Sequence, residues 1–396
     1  VALAFGADAV YAGIPEFSLR VRINDFDLEK IALATKYCHE RNKKIYITVN
    51  IFAHNKHLDR LPAYIKKLRE IKIDALIVAD PGIISVIKEN WPSAEIHLST
   101  QANCTNWQAA KFWYDSGVTR IVLGREVTLD EIKEMRERVP KLELEYFIHG
   151  AMCMAYSGRC FLSKMYMNRS ANLGDCIQPC RWEHSVTNLA KEEHFIKAKG
   201  HDEVLELVEE EHGSYILNSK DLCLIKHLRD LVEAGVVSFK IEGRAKSAYY
   251  QAMVSGVYAQ VLNNLDNIKQ AEIDFLYSEL ETKLVHRGFT EGFLLGEEAE
   301  QNLDNSHAAC DWEYCGQALL MKDKAVLIKV HNSLKVGDTL EIVRPMYDIL
   351  KMKMGKIIDP DTGEELNEAH GGQERAVLLE VPEDVPEFSV LRRKIK

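Results

Sequence analysis

Up to about residue 265 the chain alternates short apolar runs with longer amphipathic ones. The apolar runs predict strands at Ala9–Ala12, Lys44–Asn50, Ala75–Ala79, Glu95–Ser99, Arg120–Leu123, Leu142–Ile148, Tyr215–Leu217 and Ser238–Ile241. Between them apolar residues recur at helical spacing, as in Leu28, Ile31, Ala32, Thr35 and again in Leu58, Pro62, Ile65, Leu68. Strand-to-strand steps of about 20 to 35 residues are what βα units produce. Seven or eight such units predict an α/β fold, a (β/α)8 TIM-barrel-like domain over 1–265, in preference to an open doubly wound sheet. No GxGxxG opens a helix after the first strand and no GxxxxGK[ST] is present, which points the same way. The opening VALAFGADAVYAG reads as the end of a helix running into a strand, so a first strand is expected upstream of residue 1.

Three stretches depart from the alternation. Residues 190–213 are charged and mostly acidic, and read as an insertion between barrel units, partly helical and solvated. From Lys246 to about Gly288 the pattern is helical, and 266–305 is expected to be a helical connector. Beyond 306 the character turns to β, with Lys324–Val330, Asp338–Arg344 and Ala376–Glu380 as strands. A separate small β-barrel domain over 306–396 is the expectation.

Barrels of this kind carry their chemistry at the C-terminal ends of the strands. Those ends are polar here: Asn50, Asp80, Thr100 with Gln101 and Asn103, Arg125 with Glu126, His149, Asn218 with Lys220, and Glu242 with Arg244. Some of these serve as helix caps, Asp80 before Pro81 being the plainest case. As a set they predict one polar mouth. Lys240 and Arg244 flank Glu242 at the last strand, and Glu145 and His149 border the segment that follows the longest one. These five are the candidates for acid, base or orienting groups.

Composition adds exclusions. The 396 residues are 46% hydrophobic and 28% charged, with net charge −10, so an unselective polyanion binder with a basic surface is excluded while a local basic groove is not. Apolar runs such as Ala75–Ala79 fall far short of the ~20 residues that span a bilayer, and no charged leader opens the chain. A cytoplasmic, reducing setting is expected, in which clustered thiols indicate metal or redox work before disulfides.

Nine cysteines are few, but four crowd into one segment rich in Gly, Ser, Asn and Arg. Cys153, Cys160, Cys176 and Cys180 form C-x6-C-x15-C-x3-C within a cysteine-rich loop over 150–185. Soft thiolates select Zn²⁺, Cu(I) or an iron–sulfur cluster. Structural zinc favours paired C-x2–4-C knuckles, and only the second pair fits that habit. Irregular all-cysteine spacing favours iron and sulfur. Cys223, in NSKDLC after another strand end, is a reserve ligand. Cys38 and Cys104 read as structural, and Cys310 with Cys315 lacks a partner pair.

Glu145-Tyr-Phe147-Ile-His-Gly150-Ala-Met-Cys153, followed by Gly158-Arg-Cys160-Phe-Leu-Ser163, resembles the signature of peptidase family U32. GADAVYAG near the start, Gln101-Ala-Asn103, Lys240-Ile-Glu-Gly-Arg244 and His286-Arg-Gly-Phe-Thr-Glu-Gly-Phe293 extend the resemblance over essentially the whole chain. SLRVR at 18–22, AHN at 53–55, CMAYSGRC at 153–160 and CRWE at 180–183 are most similar to the branch that forms 5-hydroxyuridine at the wobble position of tRNA. The resemblance implies a [4Fe–4S] cluster on Cys153, Cys160, Cys176 and Cys180, with prephenate as oxygen-source metabolite. Sister branches imply rRNA cytidine or ubiquinone-precursor hydroxylation, and older family usage implies a collagenase-like peptidase.

The residues can be set beside that implication. A wobble uridine in an anticodon loop is already partly unstacked, as base chemistry requires. Tyr156, Tyr166 and Trp182 offer stacking faces. Arg20, Arg22, Arg159, Lys164, Arg169 and Arg181 offer partners for phosphates or for a small dicarboxylate, which arginine binds by a fork. A peptidase finds little support: there is no HExxH and no GxSxG. A non-catalytic RNA-binding scaffold is the remaining alternative, and the acidic balance counts against it. A protein partner or electron donor is left open.

Overall fold

A computed structural model describes residues 1–14, 16–19, 26–153, 160, 162–169, 171, 175–182, 184–190, 193–198, 204–207, 219–243, 246–297, 299–300, 310–372 and 375–395. Six strands, β1 (Ala9–Ala12), β2 (Lys44–Val49), β3 (Ala75–Val78), β4 (Ile96–Leu98), β5 (Arg120–Val122) and β6 (Glu143–Ala151), pair in chain order and in parallel. All four residues of β3 are buried, as a parallel strand covered on both faces requires. Helices follow most strands, and their starts are written locally. Asp80 accepts from the amides of Gly82 and Ile83 ahead of the helix Pro81–Asn90, so its role is the expected cap. Thr128 and Glu131 form a capping box on Leu129–Arg138.

After β6 the topology departs from a plain repeat. Three short strands, β7 (His184–Ala190), β8 (Glu193–Ala198) and β9 (Val204–Leu207), form their own antiparallel sheet. The acidic segment therefore contains strands where partial helix was expected, because the short alternating runs HFIKA and VLEL are masked by the charges around them. The expected strand Tyr215–Leu217 lies outside the described residues. In its vicinity β10 (Asp221–Cys223) pairs antiparallel with the end of β6, placing Cys223 opposite His149. β11 (Val236–Ile241) returns to parallel pairing with β6, and β12 (Phe289–Thr290) pairs with β10.

The seven parallel strands curl around a common interior. Side chains from β1, β2, β3, β5, β6 and β11, with Ser99–Gln101 just past β4, line one cavity, and the Lys240 ammonium lies 4.5 Å over the Tyr11 ring, bringing the last strand against the first. No ladder joins β11 to β1 among the described residues. The architecture is a mixed α/β domain on a curled parallel sheet, with its main core between sheet and helices.

The C-terminal part is an antiparallel sheet domain. Its strands are β13 (Trp312–Lys322), β14 (Ala325–Val330), β15 (Ser333–Lys335), β16 (Thr339–Arg344), β17 (Asp348–Lys353), β18 (Ile357–Ile358), β19 (Glu365–Leu366), β20 (Glu368–His370), β21 (Ala376–Glu380) and β22 (Val390–Lys394). Eight of them run in the order β17-β16-β22-β13-β14-β21-β18-β19 over a separate core. The seam with the α/β domain joins apolar contacts of Val343, Tyr347 and Val390 with the main core to a buried ionic cluster. Arg392, fully buried on β22, bonds Glu279 of the helix Gln270–Lys283 at 2.7 Å and Glu341 of β16 at 2.6 Å. Lys283 completes the set at 2.6 Å from Glu279 and 3.0 Å from Glu341.

Candidate functional site

The interior of the curled sheet is filled by charge where aliphatic side chains usually stack. Glu145 on β6 is buried and receives Lys240 Nζ on Oε1 at 2.7 Å, with Ser238 Oγ donating to Oε2 at 2.7 Å. Arg120 on β5 reaches Glu145 at 3.4 Å and Glu143 through Nε at 2.8 Å. Burial alone would raise the Glu145 carboxyl, but Lys240, Ser238 and Arg120 together hold it down at about 2. Glu145 is thus a permanent anion that fixes Lys240 in place.

Above this layer the strand ends line an open-mouthed cavity of about 70 Å³. Apolar Ile77, Val122 and Phe147 share its lining with Tyr11, Thr48, Asn50, Ser99, Thr100, Gln101, Lys240 and Glu242. Asn50 Nδ2 donates to Ser99 Oγ at 3.2 Å and to Gln101 Oε1 at 3.1 Å, while its Oδ1 accepts from the Leu19 amide. Tyr11 donates to Glu242 Oε2 at 3.3 Å. Beside the cavity Asn103 donates to Glu126 at 3.2 Å, and the Arg125 guanidinium stacks 3.7 Å over Phe147.

Of the strand-end residues, the fold gathers Asn50, Thr100, Gln101, Lys240 and Glu242 around this one space. His149 is elsewhere: it is 1% exposed, its Nδ1 meets the Tyr258 hydroxyl at 3.3 Å, and burial drives its ring down to about 3. It is a neutral core histidine packed on Tyr250, Tyr258 and Phe289. Lys220 pairs with Glu300. Arg20, Arg22, Tyr156, Arg159, Asn218 and Arg244 lie outside the described residues. Tyr11 and Arg120 were not among the sequence candidates. Each sits on an inward position of its strand, and two-residue periodicity within AVYA and RIV was the signal that could have found them.

The cysteine segment leaves from the end of β6, next to the cavity. Gly150 adopts φ +119°, and a side chain there would meet the Glu242 carbonyl at 2.6 Å, so glycine allows β6 to pack on the cavity rim. Cys153 follows at an exposed position, Cys160 and Cys180 are half-buried and Cys176 is exposed. Burial raises the Cys160 thiol, and the neighbouring Cys153 and Cys176 thiols raise it further. Ser163 lies 3.8 Å from Cys176 Sγ and accepts from the Ile177 amide at 3.2 Å. Cys180 sits on a short turn of helix, Pro179–Arg181. Tyr166 packs edge-on against Trp182 with ring centres 5.4 Å apart and is itself buried, so it braces the segment.

Among the described residues no group of three or more His, Cys, Asp or Glu side chains stands assembled for a metal. The donor chemistry still suits a thiolate-bound centre, because Cys153 and Cys176 lie close enough to Cys160 to raise its thiol. Cys223 differs in kind. It is 5% exposed, its Sγ lies 3.7 Å from the Tyr258 hydroxyl, and burial pushes its thiol up to about 11. Among the described residues no helix is long and apolar enough to cross a membrane.

Comparison with known proteins adds an independent line. Residues 1–304 match the profile of peptidase family U32, and residues 311–392 match the peptidase family U32 C-terminal domain. The chain is 40% identical to tRNA hydroxylation protein P of Escherichia coli, over 88% of this chain and 84% of that one. It is 37% identical to tRNA hydroxylation protein P of Haemophilus influenzae, over 100% of this chain and 93% of that one. It is 30% identical to a protein of Porphyromonas gingivalis named collagenase, over 90% of this chain and 86% of that one.

Proposed function

The chain belongs to peptidase family U32, and from that premise we propose that it is a tRNA-modifying hydroxylase that forms 5-hydroxyuridine at the wobble position. The observation that carries this reading is similarity of 37–40% to two tRNA hydroxylation proteins across most or all of both chains. The thiol segment beside a polar cavity supports it. Cys153, Cys160, Cys176 and Cys180 would hold a [4Fe–4S] cluster, and prephenate, a small dicarboxylate, would be the oxygen source. When bound, such a cluster supplies a redox and Lewis-acid centre at the mouth of the sheet. The chain's own residues bind and orient: Lys240 is locked by Glu145, and Asn50 holds Gln101 in one orientation.

The name collagenase on one relative raises a thiol-peptidase reading, and His149 with Cys223 would be the natural pair. They stand opposite each other on β6 and β10 and share the Tyr258 hydroxyl. A thiol nucleophile needs a lowered thiol and a proton-accepting imidazole beside it. Burial does the reverse here, with the thiol up to about 11 and the ring down to about 3. Burial therefore argues against this pair as a peptidase dyad.

Nucleoside analysis of tRNA from cells with and without the gene tests it. Loss of 5-hydroxyuridine derivatives on deletion, restored by the intact chain, is expected. Unchanged levels in a strain with no second such enzyme would refute it.

A further inference from the structure

We propose that Gln101 presents a fixed amide donor to an acceptor oxygen of the substrate, and that Asn50 is the positioning residue that fixes it. The acceptor is a carbonyl oxygen of the RNA base or a carboxylate oxygen of the small acid, one chemistry with two sources. The proposal rests on the RNA-hydroxylation reading and deepens it by naming a group that meets substrate.

An amide side chain carries an acceptor oxygen on one side and an N–H donor group on the other, and its neighbours decide which side faces where. Here one neighbour sets the order. The Leu19 backbone amide can only donate, and it meets the Asn50 side chain at 3.2 Å, so the Asn50 oxygen faces Leu19. Asn50 Nδ2 is thereby turned the other way, donating to Ser99 Oγ at 3.2 Å and to Gln101 Oε1 at 3.1 Å. The Ser99 hydroxyl, having accepted from Asn50, donates in turn to the same Gln101 oxygen. With its oxygen held twice, Gln101 has its N–H groups left to offer. Among the described residues no acceptor takes them. Gln101 itself is half-buried on the lining of the open-mouthed cavity, where a ligand can reach it.

The frame around these donors is held on three elements. Ser18 pairs with Thr48 at 2.8 Å, and Thr48 donates to the Ala12 carbonyl at 3.1 Å, so the loop carrying Leu19 is tied to β1 and β2. Asn50 stands just past β2 and is buried. Gln101 lies on a single turn of 3-10 helix, Thr100–Ala102, just past β4. Thr100 Oγ1 donates to the Leu123 carbonyl at 3.4 Å and Asn103 Nδ2 to Glu126 at 3.2 Å, which ties both ends of that turn to the segment after β5. A donor fixed before substrate arrives loses little freedom on binding, and it rejects another donor in the same place. A carbonyl and a carboxylate both satisfy it, and an N–H group does not.

Calorimetric titration of the intact, anaerobically purified protein with a tRNA anticodon stem-loop and, separately, with prephenate tests the assignment. Gln101→Leu is expected to raise the dissociation constant of one ligand about tenfold or more and that of the other less than about threefold, with circular dichroism unchanged. A rise confined to the stem-loop assigns the acceptor to the base, and an abasic wobble position should then erase the difference between the two proteins. A rise confined to prephenate assigns it to the carboxylate. Asn50→Asp still accepts from Leu19 but offers Gln101 an acceptor in place of a donor, so the amide turns over. The same ligand should weaken about tenfold or more although Gln101 is untouched. The double variant should bind it within about threefold of Asn50→Asp alone, because a donor already turned away is not lost twice. Equal weakening of both ligands, weakening of neither, a difference that persists on the abasic stem-loop, or losses that multiply in the double variant would overturn the proposal, as would wild-type protein that binds neither ligand. Each single variant is read by itself, so one that fails to fold leaves the other to decide. If neither affinity changes while the gene still restores 5-hydroxyuridine in cells, the assignment falls and the hydroxylase reading survives. If deletion leaves the tRNA nucleosides unchanged, the hydroxylase reading falls and takes the assignment with it.

Discussion

Replacing Glu145 with glutamine would withdraw the negative charge from between Arg120 and Lys240 while keeping the size of the side chain. Arg120 would retain Glu143 at 2.8 Å, but Lys240, 2.7 Å from Glu145, would keep only a neutral acceptor. The cost follows from the ionisation of the carboxyl, held at about 2 against an ordinary 4.5. At about 1.4 kcal/mol per pH unit, the ionised form contributes about 3 kcal/mol to stability at neutral pH. Because the folded value lies below the unfolded one, that contribution is complete above about pH 4.5 and is lost as pH falls towards 2. Urea unfolding of both proteins across this range is the assay. Glu145→Gln should be about 3 kcal/mol less stable at neutral pH, with the gap narrowing to roughly half by about pH 3. A gap under about 1 kcal/mol at neutral pH, or one that does not change on acidification, would refute the reasoning.

The seam between the domains makes a second test. Arg392→Met leaves Glu279 and Glu341 buried with Lys283 as their remaining buried cation and should cost about 3–5 kcal/mol, seen as a lower thermal midpoint or a split transition; an unchanged single transition would count against an ionic seam. Among the cysteines, the proposed cluster predicts broad visible absorbance in anaerobically purified protein, lost in Cys176→Ala or Cys180→Ala and kept in Cys223→Ala. Loss on Cys223→Ala with retention on Cys180→Ala would exchange those two as ligands.

Much of the architecture was legible because its signals are local. Apolar runs at βα spacing located all seven described parallel strands, with Ser238–Ile241 falling inside β11, and Asp80 before Pro81 announced a cap that formed as expected. The departures came where local signals are weak. β7 to β9 are short alternating runs amid acidic residues, and β10 is three residues long with no helix-strand rhythm around it. Its antiparallel direction follows from how the chain returns to β6, which no local pattern encodes.

For the site the division is similar. Sequence by itself determined that four thiols share one segment, that polar residues end the strands, and that the chain resembles a hydroxylating branch of its family. Spacing and residue type are one-dimensional properties, so they survive without coordinates. Tertiary structure alone decided which polar ends meet: Asn50, Thr100, Gln101 and Glu242 line the cavity, while Asp80 caps a helix and His149 enters the core. It also decided ionisation. The same burial that keeps His149 neutral and Cys223 protonated leaves Glu145 charged, because only Glu145 was given cations from β5 and β11 to face. Desolvation and pairing depend on neighbours distant in sequence, and folding is what supplies them.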